Sequence, residues 1–145
     1  MQDPDSIRPL ILVVDDTQDN RVVFSAVLEH AGFAVFTASS GTEALAQARL
    51  HRPTLIVLDL RMPDLDGDEV VRRLNADPDT ADIPAIVATA DDTYTPARAR
   101  KDGFCAHVRK PVLPRHLRQA VEHCLDRRSP AARWVELPAF SMADA

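Results

Sequence analysis

Long apolar runs, basic clusters and cysteines are all scarce in this sequence of 145 residues. No run of about 18 apolar residues occurs and the N-terminal stretch has no apolar core, which argues against a membrane-spanning helix and a signal peptide. The net charge is −5, and adjacent arginines form pairs but no patch, which argues against direct binding to nucleic acid. We therefore expect a cytoplasmic protein that contacts neither membrane nor nucleic acid.

The two cysteines lie in apolar surroundings and do not make a disulfide framework. Cys105 falls within an apolar run and Cys124 on one face of a helical pattern, so we expect two buried free thiols in a reducing compartment. With 46% hydrophobic residues, the chain is long enough for one domain with its own core. We assign residues 1–8 to an N-terminal tail, 9–127 to the folded domain and 128–145 to a C-terminal tail or linker.

Short apolar runs alternate with helical patterns along the folded part. The runs predict strands over residues 10–14, 33–38, 55–58, 83–88 and 104–109. Apolar residues at helical spacing follow each run, most weakly in the fourth helix, at about 96–102. Five such strand and helix units imply right-handed crossovers, and therefore an α/β fold with a parallel sheet between two layers of helices.

Polar side chains follow four of the five predicted strands. Asp15 and Asp16 come after the first strand, Asp59 after the third, Thr89 after the fourth and Lys110 after the fifth. The carboxyl ends of parallel strands lie at one edge of a sheet, so we expect these side chains to cluster. Three converging carboxylates repel one another unless a cation is present, and a half-open set of oxygen ligands suits Mg²⁺. A free carboxylate there can attack phosphorus, so the pattern predicts phosphoryl acceptance by an aspartate.

The same residues belong to motifs that carry a family resemblance. The motifs are Asp15-Asp16, Asp59 followed by Met62-Pro63 and Asp66-Gly67, Thr89-Ala90, and Lys110-Pro111. In this order and spacing, the chain resembles the receiver domain of two-component response regulators, of the single-domain chemotaxis type, over about residues 10–125. The resemblance implies a flavodoxin-like sheet of five parallel strands in the order 2-1-3-4-5 with five helices.

The resemblance also implies roles for the acidic residues. Asp59 would accept a phosphoryl group from a sensor histidine kinase or a phosphotransfer protein. Asp16 and Asp59 would ligate Mg²⁺ directly, together with the backbone carbonyl of Arg61, and Asp15 would act mainly through water. The protein would be a phosphoacceptor switch that catalyses its own phosphoryl transfer and slow dephosphorylation, and not an enzyme acting on a separate substrate.

Two further residues would connect the phosphoryl group to the protein's output. Lys110 would pair with the phosphoryl oxygens, and Thr89 would move inward to hydrogen-bond them. That movement would bias a pre-existing equilibrium of the face formed by the fourth helix, the fifth strand and the last helix. A downstream protein target would read the change.

One position departs from the usual pattern of the family, and two others lie where the family tunes the rate of hydrolysis. His107 stands where the family commonly has Tyr or Phe, and we expect an exposed histidine or, alternatively, a switch residue that makes the output depend on pH near neutrality. Arg61 and Asp91 lie two residues after Asp59 and Thr89, where the family tunes hydrolysis of the acyl phosphate. We predict that their opposite charges bridge the mouth of the site and lengthen the phosphorylated lifetime, although an exposed ion pair can also contribute almost nothing.

Other functions fit less well or stay open. Aspartate-nucleophile phosphatases need a second aspartate two residues after the first, where this chain has Arg61. A receiver that works as an interaction module without phosphorylation, and a receiver fragment of a larger regulator with an output domain, both remain alternatives. The charged surface indicates a monomer or a weak dimer.

The C-terminal tail has two interpretations. Trp134, Leu137 and Phe140 recur at a spacing of three, but Pro130 and Pro138 oppose a continuous helix. A linker is therefore the default expectation. The alternative is a docking peptide that covers the face of the fourth helix or recruits a partner, because exposed aromatic side chains are unfavourable.

Overall fold

The computed structural model describes residues 8–126 and 135–136 of the chain. The strands are β1 (Leu10–Val14), β2 (Ala34–Ala38), β3 (Leu55–Asp59), β4 (Ala85–Thr89), β5 (Ala106–Arg109) and β6 (Val135–Glu136). The helices are α1 (Gln18–His30), α2 (Gly41–His51), α3 (Gly67–Ala76), α4 (Pro96–Asp102) and α5 (Pro114–Leu125). Among the described residues, no helix has the length and apolar character needed to cross a membrane.

The strands form one parallel sheet in the order β2-β1-β3-β4-β5-β6. The predicted order 2-1-3-4-5 with five helices is therefore confirmed. The strand β6 is an addition that the sequence did not predict, since residues 135–136 lie in the segment taken as a tail or linker. It pairs with β5 in the register Ala106↔Val135 and His107↔Glu136.

The strands β1 to β4 send alternate side chains to two separate cores. On β1, Leu12 and Val14 pack with α2, α3 and α4, whereas Ile11 and Val13 pack with α1 and α5. All five residues of β3 are buried, because helices cover both faces of the sheet. Burial on both faces explains why the apolar runs in the sequence are continuous.

The weakest predicted helix forms with the bounds that the sequence suggested. The hydroxyl of Thr95 accepts a hydrogen bond from the backbone amide of Arg98 at 3.1 Å and caps the first turn of α4. Gly103, at φ 104°, ends the helix in a left-handed conformation that favours glycine. Local capping therefore defines α4, which has only Ala99 fully buried among its residues.

The expectation of two free thiols is wrong. Cys105 and Cys124 are joined by a disulfide, with their Cα atoms 6.2 Å apart. Cys105 immediately precedes β5 and Cys124 lies in the last turn of α5, and both are buried in the core shared by α1 and α5. The sequence separation of 19 residues gave no sign of this proximity, because only the packing of α5 back along β5 brings the two sulfurs together.

Candidate functional site

Three carboxylates converge at the carboxyl edge of the sheet. Asp59 is the last residue of β3, and Asp15 and Asp16 directly follow β1, its parallel neighbour. One carboxylate oxygen from each residue lies within 4.8 Å of the others. Asp15 and Asp59 are buried, with 0% and 8% of their surface exposed, whereas Asp16 is exposed. The cluster is therefore buried at Asp15 and Asp59 and open to solvent at Asp16.

Lys110 supplies the positive charge of this cluster. Its Nζ lies 2.7 Å from Oδ2 of Asp15 and 3.4 Å from Oδ2 of Asp59. The backbone amide of Lys110 donates to the carbonyl of Thr89 at 3.0 Å, so the end of β5 is fixed to the end of β4. The lysine thus reaches the acidic cluster from the strand two positions away from β3 in the sheet.

Asp15 is held by Thr17 and by residues of the following helix, none of which the sequence analysis assigned to the site. Its Oδ1 accepts from the backbone amide of Thr17 at 2.9 Å, and Asn20 donates to both of its oxygens at 3.4 and 3.2 Å. Arg21 donates to the backbone carbonyl of Asp15 at 2.7 Å. Asn20 lies in the first turn of α1. Its position one helical turn after the acidic pair was the sequence signal that Asn20 could contact Asp15.

Burial makes the negative charge of Asp59 unfavourable. Desolvation raises the pKa of its carboxyl group above 3.8, the positive charge of Lys110 opposes this, and the negative charge of Asp15 adds to the increase. A buried carboxylate beside a second carboxylate gains from any cation nearby. The electrostatics of the site therefore favour a bound cation in addition to Lys110.

The loop between β3 and α3 packs closely against the acidic edge. The backbone amide of Gly67 donates to the carbonyl of Leu60 at 2.7 Å. A Cβ atom at position 67 would lie 2.5 Å from the carbonyl oxygen of Asp59, so only glycine permits this approach. Gly67 therefore determines how α3 begins beside the acidic residue.

Asp64 ties the same loop to a neighbouring helix. Its carboxylate accepts from the backbone amides of Gly41 and Thr42 at 3.0 and 3.1 Å, at the N-terminus of α2. Hydrogen bonds from Thr42, and next from Gly41, hold the pKa of Asp64 at about 2, well below its usual range. No sequence pattern indicated this contact, because Asp64 and Gly41 are 23 positions apart in the chain.

Thr89 lies where the sequence placed it, at the buried end of β4. Its hydroxyl accepts a hydrogen bond from the backbone amide of Asp91 at 3.0 Å. This bond orients the start of the loop that leads to α4. The side chain is therefore engaged with its own loop in this structure.

Arg61 and Asp91 form an ion pair above the site. The guanidinium of Arg61 lies 2.7 Å from Oδ2 of Asp91 and 3.2 Å from Oδ2 of Asp66. Hydrogen bonds from Thr93 and Arg61 hold the pKa of Asp91 at about 2. The pair links the loop after β3 to the loop after β4, as the spacing suggested, and its effect on phosphorylated lifetime stays a prediction.

The expectation of an exposed His107 is wrong. Only 7% of its surface is exposed, and its Nε2 lies 3.1 Å from the carbonyl oxygen of Tyr94. Its ring stacks on that of Tyr94 with a centroid distance of 6.2 Å, and the Tyr94 hydroxyl donates to Asp102 at 2.7 Å. The loop before α4 folds over β5 and buries the histidine, which strand periodicity alone could not reveal.

The acidic cluster has the donor set that a small divalent cation requires. Its ligands are carboxylate oxygens, which suit Mg²⁺. Asp15 already accepts hydrogen bonds from several protein groups, whereas Asp16 faces solvent. Asp16 and Asp59 are therefore better placed than Asp15 to contact a metal directly.

Known proteins match this chain across most of its length. The family model of the response regulator receiver domain matches residues 11–122. The chain belongs to the response regulator receiver family. This receiver domain is 37% identical to the alkaline phosphatase synthesis transcriptional regulatory protein PhoP of Bacillus subtilis over 88% of this chain, and it spans 52% of PhoP.

Two more relatives are of the receiver domain's own size. The polar-differentiation response regulator DivK of Brucella anthropi is 33% identical over 74% of this chain and 89% of DivK. The high-resolution structure of the chemotaxis response regulator CheY4 of Vibrio cholerae superposes with a TM-score of 0.74 at 28% identity, covering 80% of this chain and 98% of CheY4. Receiver domains bind Mg²⁺ at an acidic pocket and interact with histidine kinases or phosphotransfer proteins, and the acidic cluster of this receiver domain is consistent with such a site.

Proposed function

We propose that this receiver domain is a phosphoacceptor switch in which Asp59 accepts a phosphoryl group from a histidine kinase or a phosphotransfer protein. The observation that carries the proposal is the arrangement at the edge of the sheet. Three carboxylates lie within 4.8 Å of one another, and the ammonium group of Lys110 lies 3.4 Å from Asp59. We place this exchange in the cytoplasm, as the sequence predicts.

The chemistry is an in-line displacement at phosphorus. A carboxylate oxygen of Asp59 forms the new O–P bond as the P–N bond of a phosphohistidine breaks, and the departing imidazole takes up a proton. Lys110 offsets the charge of the phosphoryl oxygens. Asp16, Asp59 and the backbone carbonyl of Arg61 would hold Mg²⁺, with Asp15 acting through water, and the bound ion would offset the charge of the carboxylates and the phosphoryl group.

The switch would run through the loop between β4 and α4. To hydrogen-bond a phosphoryl oxygen, the hydroxyl of Thr89 must reorient, and its present bond from the amide of Asp91 would then be lost or lengthened. The loop continues to Tyr94, whose carbonyl contacts the ring of His107. A change at Thr89 would thereby reach β5 and the face that a downstream protein reads, and His107 is our candidate for the switch residue.

Acetyl phosphate is a small phosphoryl donor that tests the proposal without a partner protein. After incubation with this donor and Mg²⁺, intact mass spectrometry should show a gain of one phosphoryl group that EDTA prevents. The variant Asp59→Asn, which keeps the shape of the side chain, should show no gain. A failure to gain mass, while another receiver domain is modified in parallel, would favour a module that works without phosphorylation.

A further inference from the structure

The C-terminal strand β6 completes a strand, helix and strand unit at the edge of the sheet. The unit runs from β5 through α5 to β6, and β6 pairs in parallel with β5 in the register Ala106↔Val135 and His107↔Glu136. Parallel neighbours joined through one helix repeat the pattern by which the other strands of the sheet are connected. The backbone at positions 135–136 thus behaves as a sixth element of the fold.

The end of α5 lies where such a strand must begin. Cys124, in the last turn of α5, is joined to Cys105, the residue immediately before β5. The chain from 127 to 134 then connects α5 to β6. Neighbouring strands are separated by only about 5 Å. An extended chain spans up to about 3.5 Å per residue, so this connection is long enough without distorting α5.

Without β6, the edge of β5 that faces away from β4 would be open. The backbone amide of Lys110 donates to the carbonyl of Thr89, toward β4. Because amides alternate in direction along a strand, those of Ala106 and Val108 also point to β4, and that of His107 points to the opposite edge, where β6 pairs. An open edge presents unpaired amides and carbonyls and is a template for other chains.

We propose that the C-terminal segment is an intramolecular ligand of the β5 edge, and that an extended segment of a partner protein can pair with this edge only by displacing it. The covered edge includes His107, whose ring contacts the loop that leads to α4. This goes beyond the phosphoacceptor role and does not require phosphoryl transfer. It favours a docking segment over a linker, but at the β5 edge and not at the face of the fourth helix that the sequence suggested.

Hydrogen exchange of individual amides in the full chain tests the proposal. The double variant Val135→Pro/Glu136→Pro removes both strand amides of β6, and Ser141→Pro is the matched control. We expect exchange at His107, whose amide faces β6, to become at least about tenfold faster in the double variant and to stay unchanged in the control. The amides of Leu12 and Val13 in β1 should remain protected in every variant.

Three results would overturn the proposal. Unchanged exchange at His107 in the double variant would mean that the segment does not occupy the edge. Loss of protection in β1 as well would make the segment part of the folding core and not a separable ligand. Protection that rises with protein concentration would mean that a second copy supplies the strand. In Asp59→Asn the protection should persist, so failure of this proposal and failure of the phosphoacceptor role are distinguishable.

Discussion

Asp59 combines burial, a neighbouring carboxylate and a lysine partner, and its charge has a measurable consequence for stability. Because burial raises the pKa of Asp59, the folded state binds its proton more tightly than the unfolded chain does. Stability therefore falls as pH rises through the raised pKa. In EDTA at pH 7, Asp59→Asn should have a higher free energy of unfolding than the parent chain. Urea denaturation at several pH values measures this, and the difference should vanish below 3.8, the ordinary pKa of the group.

Asp64→Asn is the control for Asp59→Asn, because the pKa of Asp64 is shifted in the opposite direction. Its pKa is lowered to about 2 by hydrogen bonds at the N-terminus of α2, so its stabilising effect is complete above 3.8 and is lost as pH falls through about 2. Asp64→Asn should therefore be less stable than the parent chain at pH 7. If both asparagine variants shifted stability in the same direction, the assigned electrostatics of the acidic edge would be wrong.

The ion pair between Arg61 and Asp91 should affect the phosphorylated lifetime modestly. Exposed ion pairs are typically worth about 0–1 kcal/mol, so Arg61→Ala should shorten the lifetime of the acyl phosphate by about fivefold at most. The reason is easier entry of water at the mouth of the site. Loss of phosphate followed by intact mass measures the lifetime. Arg72→Ala, which breaks pairs with Glu69 and Asp68 on α3, is the control.

An unchanged lifetime in both Arg61→Ala and Asp91→Ala would refute that role. Asp91→Ala alone is less informative, because Asp91 also accepts hydrogen bonds from the backbone and hydroxyl of Thr93. Arg61→Ala leaves those bonds intact and is the cleaner variant.

At the scale of single elements, the start of α3 depends on one glycine. A Cβ at position 67 would lie 2.5 Å from the carbonyl oxygen of Asp59 and 3.1 Å from Cα of Leu60, both backbone atoms that cannot move aside cheaply. Gly67→Ala should lower the free energy of unfolding by about 1–3 kcal/mol. It should also slow phosphorylation by acetyl phosphate by about tenfold or more, because the loop after Asp59 must shift.

Gly32→Ala separates the two effects of Gly67→Ala. Gly32 has φ 102° and open space around a Cβ, so its substitution strains the backbone at the far end of α1 without touching the acidic edge. It should lower stability and leave the phosphorylation rate unchanged. Equal rates for the two alanine variants would contradict the role assigned to Gly67.

The exposed side of α1 is where we expect the phosphoryl donor protein to dock. The helix begins two residues after Asp16, and its valines Val22 and Val23 are 60% and 55% exposed. Val22→Glu should slow transfer from a phosphorylated histidine protein by about tenfold, because a charge then enters an apolar contact. The rate with acetyl phosphate should not change. Leu50→Glu, on α2 with 74% exposure, is the control and should affect neither donor.

At the scale of elements, periodicity predicted all five helices and the strands β1 to β5. Its errors were mainly in the residues at which the elements begin and end. Strand β4 begins at Ala85 and not at Ile83, since proline at 84 has no amide to donate within a ladder. Strand β5 begins at Ala106 and not at Phe104, although Phe104 and Cys105 are buried. Apolar character reports burial, and burial extends beyond the hydrogen-bonded part of a strand.

At the scale of the whole molecule, topology explains why the candidate site could be predicted. Parallel strands deliver their carboxyl ends to one edge, so strand ends in the sequence give a list of residues that meet in space. Asp15, Asp59, Thr89 and Lys110 were found in this way. The rule needs no side-chain geometry, and it works over separations of up to 95 residues, as between Asp15 and Lys110.

The contacts that the sequence did not reveal involve pieces that fold over one another. The helix cap from Asp64, the burial of His107 under Tyr94 and the disulfide between Cys105 and Cys124 each join elements through tertiary packing. Neither periodicity nor strand order encodes which loop covers which strand. Such contacts therefore had to come from the structure.

The central claim is that Asp59, and no other carboxylate of the cluster, takes the phosphoryl group. Borohydride reduces an acyl phosphate at an aspartate to homoserine, which peptide mass spectrometry can locate. After incubation with acetyl phosphate and Mg²⁺, we expect homoserine at position 59 alone. Homoserine at position 15 or 16, or no homoserine in a sample whose intact mass includes the phosphoryl group, would contradict the account.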